Sequence, residues 1–423
     1  MKLTGRHALV VGLGKSGVAA ARLLLSRGAR VIAADDAQVA LPRGVPELRR
    51  VAPDALEGID LVVASPGVPL SLPIFAEARA RGIELCGEVE LASRFIEEPI
   101  AGITGTNGKS TTTALTGHLL AEAGLRVFTG GNLGNALSNR VLEGGALDAT
   151  VCELSSYQLE GIAALRCAAA TVLNVTPDHL DRYPDLDAYA AAKARIFANQ
   201  RAGDTAAINA ADARVRAMET NPGVRRAEFD PREPLRIEGT PLQLRAATLR
   251  GAHNRENAFA ACLLARHFGV GMAALQRGLD GYPGLPHRLE PVRVLDGVEW
   301  VNDSKATNVD SVEKSLTAFP GNLHIIMGGR GKGAPYAPLR APMRGKVKTI
   351  LTVGEDAEKI AAELGDLAPV VAAQTLPAAV KRARELARPG DVVLLSPACA
   401  SYDQFRNFED RGDQFKALVR GLS

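Results

Sequence analysis

The sequence predicts an α/β protein of three domains in which helices cover parallel sheets. Its 423 residues correspond to about three domains at roughly 150 residues each. Short runs of Val, Ile and Leu alternate with longer helical patterns along the chain, which is typical of parallel sheets. Two proline-bearing stretches, 96–100 and 282–288, are predicted joints because proline and glycine interrupt regular structure. The predicted domains are therefore residues 1–95, 96–285 and 286–423.

The predicted elements alternate between strand and helix, as the class requires. They are strands 8–11 and 30–34 around a helix 16–27, then strand 99–103, a helix from Ser110, strands near 149–153 and 169–175, a helix 254–268, strands near 323–327, 349–353 and 391–395, and helices such as 378–387. Loops that follow the strands matter most, because ligands of open α/β sheets bind at the carboxyl ends of the strands.

The composition excludes several classes of protein. Hydrophobic residues make up 46% of the chain, charged residues 23%, and the net charge is +3, which does not favour binding of nucleic acid or membrane by bulk charge. No apolar run reaches about 18 residues, so we expect no membrane span. The apolar stretch at the N-terminus is too short for a signal peptide. Five separated cysteines predict reduced thiols in a cytoplasmic protein: Cys86, Cys152, Cys167, Cys262 and Cys399.

A glycine pattern opens the first domain. GLGKSG at 12–17 follows a strand and begins a helix, and Asp35 or Asp36 comes about 20 residues later, as in a dinucleotide fingerprint. A nicotinamide cofactor, another phosphorylated ligand and a structural turn all remain open here. Ser65-Pro-Gly67, at the end of another strand, is either part of the same crevice or a plain turn.

The strongest local signal is GTNGKST at 105–111. A strand precedes it and a helix follows, so backbone N–H groups can hold phosphates while Lys109 meets the β- and γ-oxygens and Ser110 binds Mg²⁺. It departs from the general P-loop pattern, because Ile103 stands where the first glycine is expected. The alternative is a glycine-rich turn with a surface lysine. The motif predicts use of ATP, which counts against a nicotinamide cofactor.

Three further features accompany the P-loop in the central segment. Glu153 closes an apolar strand, where a carboxylate is well placed for Mg²⁺, although a lone glutamate is usually a solvated surface group. Residues 174–183, NVTPDHLDRY, place acids, a histidine and an arginine directly after a strand, which favours a ligand-filled cleft. Lys193 lies among small apolar residues of a helix, where a snorkelling surface lysine is the alternative.

The third segment carries four polar clusters. HRLE at 287–290 follows the second joint, and NDSKATN at 302–308 lies at a strand end, where helix capping is the alternative to a ligand site. GGRGKG at 328–333 follows an apolar strand, so its amides and Lys332 can bind an anion. The segment from Ser396 to Phe405 opens a helix N-terminus, which also suits an anion.

Seven motifs of the sequence occur in the order found in the Mur ligases of bacterial peptidoglycan synthesis, and the resemblance covers essentially the whole chain. The motifs are GTNGKST, NVTPDHLDRY, HNRENA, HRLE, NDSKATN, GGRGKG and SPACASYDQF. NDSKATN together with SPACASYDQFRNF is most similar to the D-glutamate-adding branch. The Asp-Asn-Pro-Arg motif expected of the diaminopimelate-adding branch does not occur in this sequence.

The resemblance implies a Rossmann-like N-terminal domain for the UDP end of the substrate, a central P-loop ATPase domain with a parallel sheet, and a Rossmann-like α/β C-terminal domain for the incoming amino acid. It implies an ATP-dependent amide ligase, forming ADP and phosphate, that joins D-glutamate to UDP-N-acetylmuramoyl-L-alanine through an acyl phosphate. This is a cytoplasmic step of peptidoglycan precursor synthesis. We expect a monomer that neither binds nucleic acid nor inserts into a membrane.

The resemblance also implies roles for the residues that match the family's motifs. The UDP-substrate residues are Lys15, Ser16, Asp35, Ser65, Gly67, Asn132, Ser155 and His179. The ATP residues are Gly105, Thr106, Asn107, Gly108, Lys109, Ser110, Thr111, Thr112, Asn257, Arg288 and Asp303. The D-glutamate residues are Lys305, Thr307, Lys332, Ser401 and Phe408. The catalytic residues are Lys109, His179 and Lys193, and the ligands of two Mg²⁺ ions are Ser110, Glu153, His179 and Lys193 as a CO₂-derived carbamate.

Three alternatives remain at this point. Another Mur-type or folylpolyglutamate-type ligase shares the central P-loop, but the folylpolyglutamate type would lack the N-terminal UDP domain. A nicotinamide-dependent dehydrogenase explains GLGKSG and leaves Lys109 without a role. A P-loop switch or binding module leaves NDSKATN and SPACAS unexplained.

Overall fold

A computed structural model of the chain describes residues 2–178 and 182–423. Within these residues the strands form three large sheets and one short antiparallel pair. The strands are β1 (His7–Val11), β2 (Arg30–Ala34), β3 (Leu48–Arg49), β4 (Leu61–Ala64), β5 (Glu84–Gly87), β6 (Ile100–Thr104), β7 (Val127–Gly131), β8 (Ala149–Glu153), β9 (Ala169–Val172), β10 (Thr205–Asn209), β11 (Arg225–Phe229), β12 (Arg236–Ile237), β13 (Thr240–Pro241), β14 (Glu290–Leu295), β15 (Val298–Asn302), β16 (Leu323–Gly328), β17 (Val347–Val353), β18 (Val370–Gln374) and β19 (Val392–Leu395).

Helices alternate with these strands, as the sequence predicts. They are α1 (Lys15–Ser26), α2 (Pro73–Ala80), α3 (Glu88–Ser93), α4 (Lys109–Glu122), α5 (Leu137–Glu143), α6 (Ser156–Glu160), α7 (Leu186–Ala194), α8 (Ala213–Arg216), α9 (Ala252–His267), α10 (Met272–Asp280), α11 (Val309–Leu316), α12 (Arg340–Met343), α13 (Ala357–Leu364), α14 (Leu376–Leu386) and α15 (Phe408–Arg420). None of the described helices has the length and apolar character needed to cross a bilayer.

The first two sheets are entirely parallel. The N-terminal sheet has the order β3-β2-β1-β4-β5. Strands β2 and β3 are added on one side of β1 and strands β4 and β5 on the other, so the strand order reverses between β1 and β4. The central sheet has the order β11-β10-β9-β6-β8-β7, which places β6 between β8 and β9. Both arrangements create crevices at the carboxyl ends of neighbouring strands, where α/β proteins bind ligands.

The third sheet has the order β14-β15-β19-β16-β17-β18 and is mixed. Within this sheet the prediction of parallel pairing is wrong for β14, which pairs antiparallel with β15. The cause is a two-residue turn at Asp296 and Gly297, which both have positive φ and thus form a tight hairpin. Strands β15, β19 and β16 remain parallel neighbours, so the loops after them meet at one edge.

Each face of the third sheet carries an apolar core because alternate residues of a strand point to opposite sides. Ile325 packs with Leu316 and Ile350 on one face. Ile326 packs with Trp300 and Phe415 on the other. The polar loops at the strand ends therefore stand on a rigid apolar base.

The described chain separates into two compact units. Unit 1 comprises Met1–Leu242 with Glu256–Leu279 and contains the first two sheets, and unit 2 comprises Gln243–Arg255 with Asp280–Ser423 and contains the third. The predicted three-domain α/β class is confirmed by the three sheets. The predicted boundaries at residues 95 and 285 stay predictions.

Candidate active site

Two loops of the N-terminal sheet meet at the switch between β1 and β4. Gly12 has φ +87°, and a Cβ there would lie 2.6 Å from Val68 Cγ2 and 3.0 Å from Ser65 Cβ, so only glycine allows this approach. Asp35 accepts hydrogen bonds from the N–H groups of Leu13 (2.8 Å) and Ala37 (2.9 Å). The predicted UDP-substrate loops are thus adjacent, and Asp35 holds the glycine turn in place.

The remaining residues of this predicted group border the same crevice. Lys15 and Ser16 form the first turn of α1, with the Lys15 side chain exposed. Ser65 is buried and Gly67 exposed at the end of β4. Backbone N–H groups at the start of α1 face the carboxyl edge of the sheet, which suits an anionic ligand such as a diphosphate.

Residues 105–111, here called the phosphate loop, connect β6 to α4. Gly108 has φ +84°, and a Cβ there would lie 2.2 Å from Asn257 Oδ1, so the loop and α9 approach closely. Lys109 Nζ donates to the carbonyl oxygens of Gly105 (2.9 Å) and Thr106 (2.8 Å). Its ammonium therefore lies over the loop, as phosphate binding requires.

The rest of the phosphate loop continues into α4. Ser110 and Thr111 are half-buried in its first turn. Thr112 is buried and its Oγ1 donates to Asn257 Oδ1 at 3.1 Å. The structure thus brings the predicted ATP residue Asn257 to the phosphate loop, although 145 residues separate it from Thr112.

Asn174 supports the phosphate loop from the end of β9. Its Oδ1 accepts from the N–H of Asn107 at 2.9 Å, and its carbonyl accepts from the N–H of Thr106 at 2.9 Å. Its Nδ2 donates to Asn107 O at 3.3 Å and to Glu256 Oε1 at 2.6 Å. The predicted strand 169–175 therefore ends earlier, at Val172, because the chain leaves the sheet to bind the loop. Sequence reasoning gave Asn174 no role.

Glu153 lies beside the phosphate loop at the end of β8 and is 2% exposed. Its Oε1 accepts from Asn132 Nδ2 at 2.7 Å, so two predicted site residues are in contact. Its Oε2 is buried and has no hydrogen-bond partner among the described residues. An unpaired buried carboxylate oxygen is costly, and an oxygen-seeking cation such as Mg²⁺ would satisfy it. The donor set fits the predicted metal.

No group of three His, Cys, Asp or Glu side chains gathers within residues 2–178 and 182–423. A metal near Glu153 would therefore draw on other oxygen donors. Ser110 supplies a hydroxyl on the neighbouring helix. The predicted ligand His179 lies outside the described residues.

Lys193 is 1% exposed on α7, so the snorkelling alternative is wrong. Its Nζ donates to Gly105 O at 2.8 Å and lies 4.2 Å from the centroid of the Tyr189 ring. Burial and the nearby Lys109 ammonium lower the pKa of Lys193 to about 7, while Asp178 opposes the shift. A buried amine beside the phosphate loop is available in its neutral form near pH 7.

A cavity of about 330 Å³ opens beside Ser65, between the N-terminal sheet and α6. Arg182 on its wall pairs with Glu160 at 2.6 Å and stacks on the Tyr157 ring at 3.9 Å. Ser155, a predicted substrate residue, caps α6 through a reciprocal pair with Gln158. Sequence reasoning gave no role to Glu160 or Tyr157 of this wall.

Three loops meet at the carboxyl edge of the third sheet, after β15, β19 and β16. They are the aspartate turn (residues 302–308), the serine segment (396–405) and the lysine loop (328–333). Asp303 is buried, and its carboxylate accepts from Ser315 Oγ (2.6 Å) and Ser396 Oγ (2.8 Å). The N–H of Leu289 is a third donor at 3.2 Å. Burial raises the pKa of Asp303 to about 6 despite these donors. Asp303 thus connects the aspartate turn to α11, to the start of the serine segment and to the residue before β14.

The predicted D-glutamate residues lie around these loops. Lys305 Nζ lies 5.4 Å from the centroid of the Phe408 ring, so these two are brought together. Lys332 is exposed and Ser401 is 2% exposed. Thr307 is half-buried in the aspartate turn, and Arg288 is half-buried near its start. Two ammonium groups at one edge favour a ligand with negative charge.

Arg411 on α15 is a residue that sequence reasoning missed. It is 1% exposed, its Nε donates to Ser304 Oγ at 3.0 Å, and its Nη2 donates to the carbonyls of Ser304 (2.9 Å) and Cys399 (3.1 Å). Its Nη1 lies 3.5 Å from Gly328 O. One guanidinium thus contacts all three loops. Burial lowers the pKa of Arg411 to about 10, so it remains charged at neutral pH.

A phosphate loop flanked by a buried acid and a buried lysine on a parallel sheet defines a nucleotide-using α/β enzyme. Three family models match the chain in order. They are the N-terminal domain of the MurD-like Mur ligases over residues 6–87, the Mur ligase middle domain over 103–265, and the Mur ligase glutamate ligase domain over 287–399. The chain belongs to the Mur ligase family, which confirms the resemblance of its motifs.

Relatives are similar over the whole chain. A UDP-N-acetylmuramoylalanine–D-glutamate ligase of Myxococcus xanthus is 54% identical, with 100% of both chains covered. One of Anaeromyxobacter dehalogenans is 54% identical over 99% of this chain and 98% of its own. A solved UDP-N-acetylmuramate–alanine ligase of Thermotoga maritima has a TM-score of 0.60 at 18% identity, covering 98% of this chain and 99% of that one. The last likeness supports the fold.

Proposed function

We propose that this protein is an ATP-dependent amide ligase that joins D-glutamate to UDP-N-acetylmuramoyl-L-alanine, with formation of ADP and phosphate. The observation that carries the proposal is 54% identity over the full chain to a ligase of that name. The phosphate loop with Lys109 over it supports nucleotide use. We further propose that the enzyme is a cytoplasmic monomer and takes part in peptidoglycan precursor synthesis.

In this proposal each domain binds a different substrate. Residues 1–95 bind the UDP end of the substrate, 96–285 bind ATP, and 286–423 bind the amino acid. The residues proposed for the UDP substrate are Lys15, Ser16, Asp35, Ser65, Gly67, Asn132, Ser155 and His179. Those proposed for ATP, besides the phosphate loop, are Thr112, Asn257, Arg288 and Asp303.

The chemistry requires activation of a carboxylate, which is a poor electrophile. The terminal carboxylate of the UDP substrate attacks the γ-phosphorus of ATP, ADP leaves, and an acyl phosphate forms. Lys109 neutralises charge that develops on the transferred phosphoryl group, so the protein acts by positioning and electrostatics. The neutral amine of D-glutamate then attacks the acyl carbon. Phosphate leaves from the tetrahedral intermediate, the amine loses a proton, and the amide is complete.

Mg²⁺ supplies further charge neutralisation when bound, and Glu153, Ser110, His179 and Lys193 are its proposed ligands. The buried Oε2 of Glu153, which has no hydrogen-bond partner within residues 2–178 and 182–423, supports this assignment. For Lys193 we propose a carbamate: its neutral amine attacks CO₂, a C–N bond forms and a proton is released. The product is a carboxylate-like oxygen donor where an ammonium would repel metal. Burial of the amine favours its neutral form.

D-Glutamate carries two carboxylates, so its site needs cations and donors. We propose Lys305, Thr307, Lys332, Ser401 and Phe408 for this site. The ammonium groups of Lys305 and Lys332 face the carboxylates in this proposal, and hydroxyls and loop N–H groups complete the binding.

Phosphate release from ATP tests the function directly. We expect release only when Mg²⁺, UDP-N-acetylmuramoyl-L-alanine and D-glutamate are all present, with a dipeptide product of matching amount. L-Glutamate and L-alanine in place of D-glutamate serve as controls. Release that ignores both substrates would exclude the ligase.

The proposed carbamate on Lys193 can be detected by a measurement that does not require turnover. With ¹³C-labelled bicarbonate we expect a carbamate carbon signal by NMR from the wild-type protein. Lys193→Ala should lose the signal, and Lys381→Ala, at an exposed position on α14, should keep it. An unchanged spectrum in Lys193→Ala would remove the assignment.

A further inference from the structure

The lysine loop and the serine segment are joined through their backbones. The N–H of Arg330 donates to Ala400 O and the N–H of Ala400 donates to Arg330 O, both at 3.0 Å. Gly329 makes this approach possible, because it has φ +127° and a Cβ there would lie 2.3 Å from Ala400 O. A shift of the lysine loop would therefore move the serine segment with it.

Asp356, which directly precedes α13, holds the other side of the lysine loop. Its N–H donates to Gly329 O at 3.0 Å, and its Oδ1 accepts from the N–H of Gly331 at 3.2 Å. A Cβ on Gly331 would lie 1.9 Å from Asp356 Oδ2, so the carboxylate packs directly against the backbone. The residue before Lys332 is thus fixed by a carboxylate that sequence analysis did not single out.

Tyr336 connects Asp356 to the serine segment. It is 2% exposed, and its hydroxyl donates to Asp356 Oδ2 at 2.7 Å and lies 2.9 Å from Cys399 Sγ. The Tyr336 backbone is anchored separately, since its N–H donates to Glu363 Oε2 at 2.6 Å. Burial, with Cys399 and Asp356 adding to it, raises the pKa of the phenol, so the hydroxyl keeps its proton for these contacts.

The contacts form a closed path from the lysine loop through Asp356, Tyr336 and Cys399 to the serine segment. The backbone bridge at Arg330 and Ala400 closes the path. Lys332 directly follows Gly331 and Ser401 directly follows Ala400, and both of these neighbours are held by the path. Neither ligand-facing group is held by its own side-chain contacts in the path, so their spacing depends on the buried groups behind them.

We propose that Tyr336 and Asp356 are positioning residues that fix the spacing of Lys332 and Ser401 and so set the affinity for the amino-acid substrate. The inference rests on the proposed function, which assigns Lys332 and Ser401 to D-glutamate. Loss of the Tyr336 hydroxyl leaves the Asp356 carboxylate free to turn toward solvent. The N–H of Gly331 then loses its acceptor, and Lys332 samples positions that do not bind the substrate.

Steady-state kinetics of the full chain test the proposal with Tyr336→Phe and Asp356→Asn. A hydrogen bond to a charged group is worth about tenfold in binding, so we expect the KM for D-glutamate to rise about tenfold in each. The KM values for ATP and the UDP substrate should stay within about twofold of wild type, and kcat likewise. The KM for D-glutamate of the double variant should not exceed that of the more impaired single variant, because both substitutions interrupt the same chain of contacts.

His324→Gln is the matched control. His324 lies on β16 at the edge opposite the lysine loop, and its Nε2 contacts Asp391 Oδ2 at 3.1 Å. The change perturbs a buried polar contact on the same strand, so we expect lower thermal stability with an unchanged KM for D-glutamate. This separates positioning from a general loss of stability.

Two results would overturn the inference. One is a KM for D-glutamate within twofold of wild type in both variants, while wild-type release still depends on D-glutamate. The other is an equal change in the KM values for D-glutamate, ATP and the UDP substrate, which would indicate that Tyr336 and Asp356 only stabilise the fold. Wild-type release that is indifferent to D-glutamate would instead remove the proposed function and the inference together. If Tyr336→Phe does not fold, Asp356→Asn carries the same comparison.

Discussion

Two loop systems at strand ends use buried polar groups in opposite ways. At the central sheet, Glu153 is 2% exposed and has one oxygen that no residue in the described part of the chain contacts by a hydrogen bond, and Lys193 is 1% exposed beside the phosphate loop. At the third sheet, Asp303 accepts from three donors and Arg411 donates to three loops. The groups are similarly buried, but Asp303 and Arg411 are each bonded to several neighbours, whereas one oxygen of Glu153 is left for a ligand.

This difference distinguishes buried groups that can act on a ligand from buried groups that hold the backbone in place. A buried charge without full partners lowers stability and persists only where the site needs it, whereas a fully bonded charge fixes the backbone around it. At the third sheet the proposed ligand group Lys332 is exposed instead. We therefore expect changes at the central sheet to reduce activity, and changes to the buried charges of the third sheet to reduce stability first.

The largest effect is expected for Lys109→Ala. Its ammonium lies over the phosphate loop, so its loss should remove the charge that neutralises the transferred phosphoryl group. We expect phosphate release to fall about a thousandfold with an unchanged melting temperature. Lys381→Ala, an exposed lysine on α14, is the control and should retain full activity. A Lys109→Ala variant whose phosphate release stays within tenfold of wild type would contradict the proposed role of Lys109.

Arg411→Met tests whether a buried charge of the third sheet contributes to stability. The change leaves the carbonyls of Ser304 and Cys399 without their donor in a buried place. We expect the free energy of unfolding to fall by about 3 kcal/mol, measured by urea unfolding. Arg382→Met, a partly exposed arginine on α14, should change it by less than about 0.5 kcal/mol. Equal stability of both variants would contradict a supporting role.

The sequence predicted the central region better than the third, for a physical reason. A phosphate loop is built by neighbouring residues, and its glycine at Gly108 and lysine at Lys109 are readable from local spacing. Strand β8 of the central sheet begins and ends where the periodicity places it. Local chemistry therefore predicted local structure.

The supporting residues were missed because their partners are distant in the chain. Arg411 binds Ser304 across 107 residues, and Tyr336 meets Cys399 across 63. Asn174 is the first residue of the motif NVTPDHLDRY, yet its pairing with Asn107 depends on β9 lying beside β6. No periodicity or spacing encodes such contacts, so they needed the structure.

Glu153→Gln tests both properties of the central sheet at once, because it should lower activity and raise stability. The amide can still accept from Asn132, but it carries no charge to bury. We expect phosphate release to fall about a hundredfold and the free energy of unfolding to rise by about 1 kcal/mol. Glu219→Gln, at an exposed position, should change neither quantity. A variant that is both active and less stable would place Glu153 with the supporting groups.

Asp303→Asn adds a pH test of the third region. The folded-state pKa is about 6 against an ordinary value of 3.8, so between these pH values the folded chain holds a proton that the unfolded chain has lost. The free energy of unfolding of the wild type should therefore fall as pH rises through this window, by about 2 kcal/mol, relative to the variant. Urea unfolding of both proteins at pH 4.5 and pH 7 measures this, and parallel pH profiles would contradict it.

The smallest effect is expected for Asn174→Ala, which removes a support from the central region rather than a chemical group. Its side chain holds the backbone of Asn107 through two hydrogen bonds, so the phosphate loop should loosen. We expect the KM for ATP to rise about tenfold, while kcat falls less than threefold. Asn199→Ala is matched, because Asn199 also makes two bonds to backbone, at Ala163 and Leu165. It should cost similar stability without changing the KM for ATP, and equal KM values in the two variants would show that loop support does not control nucleotide binding.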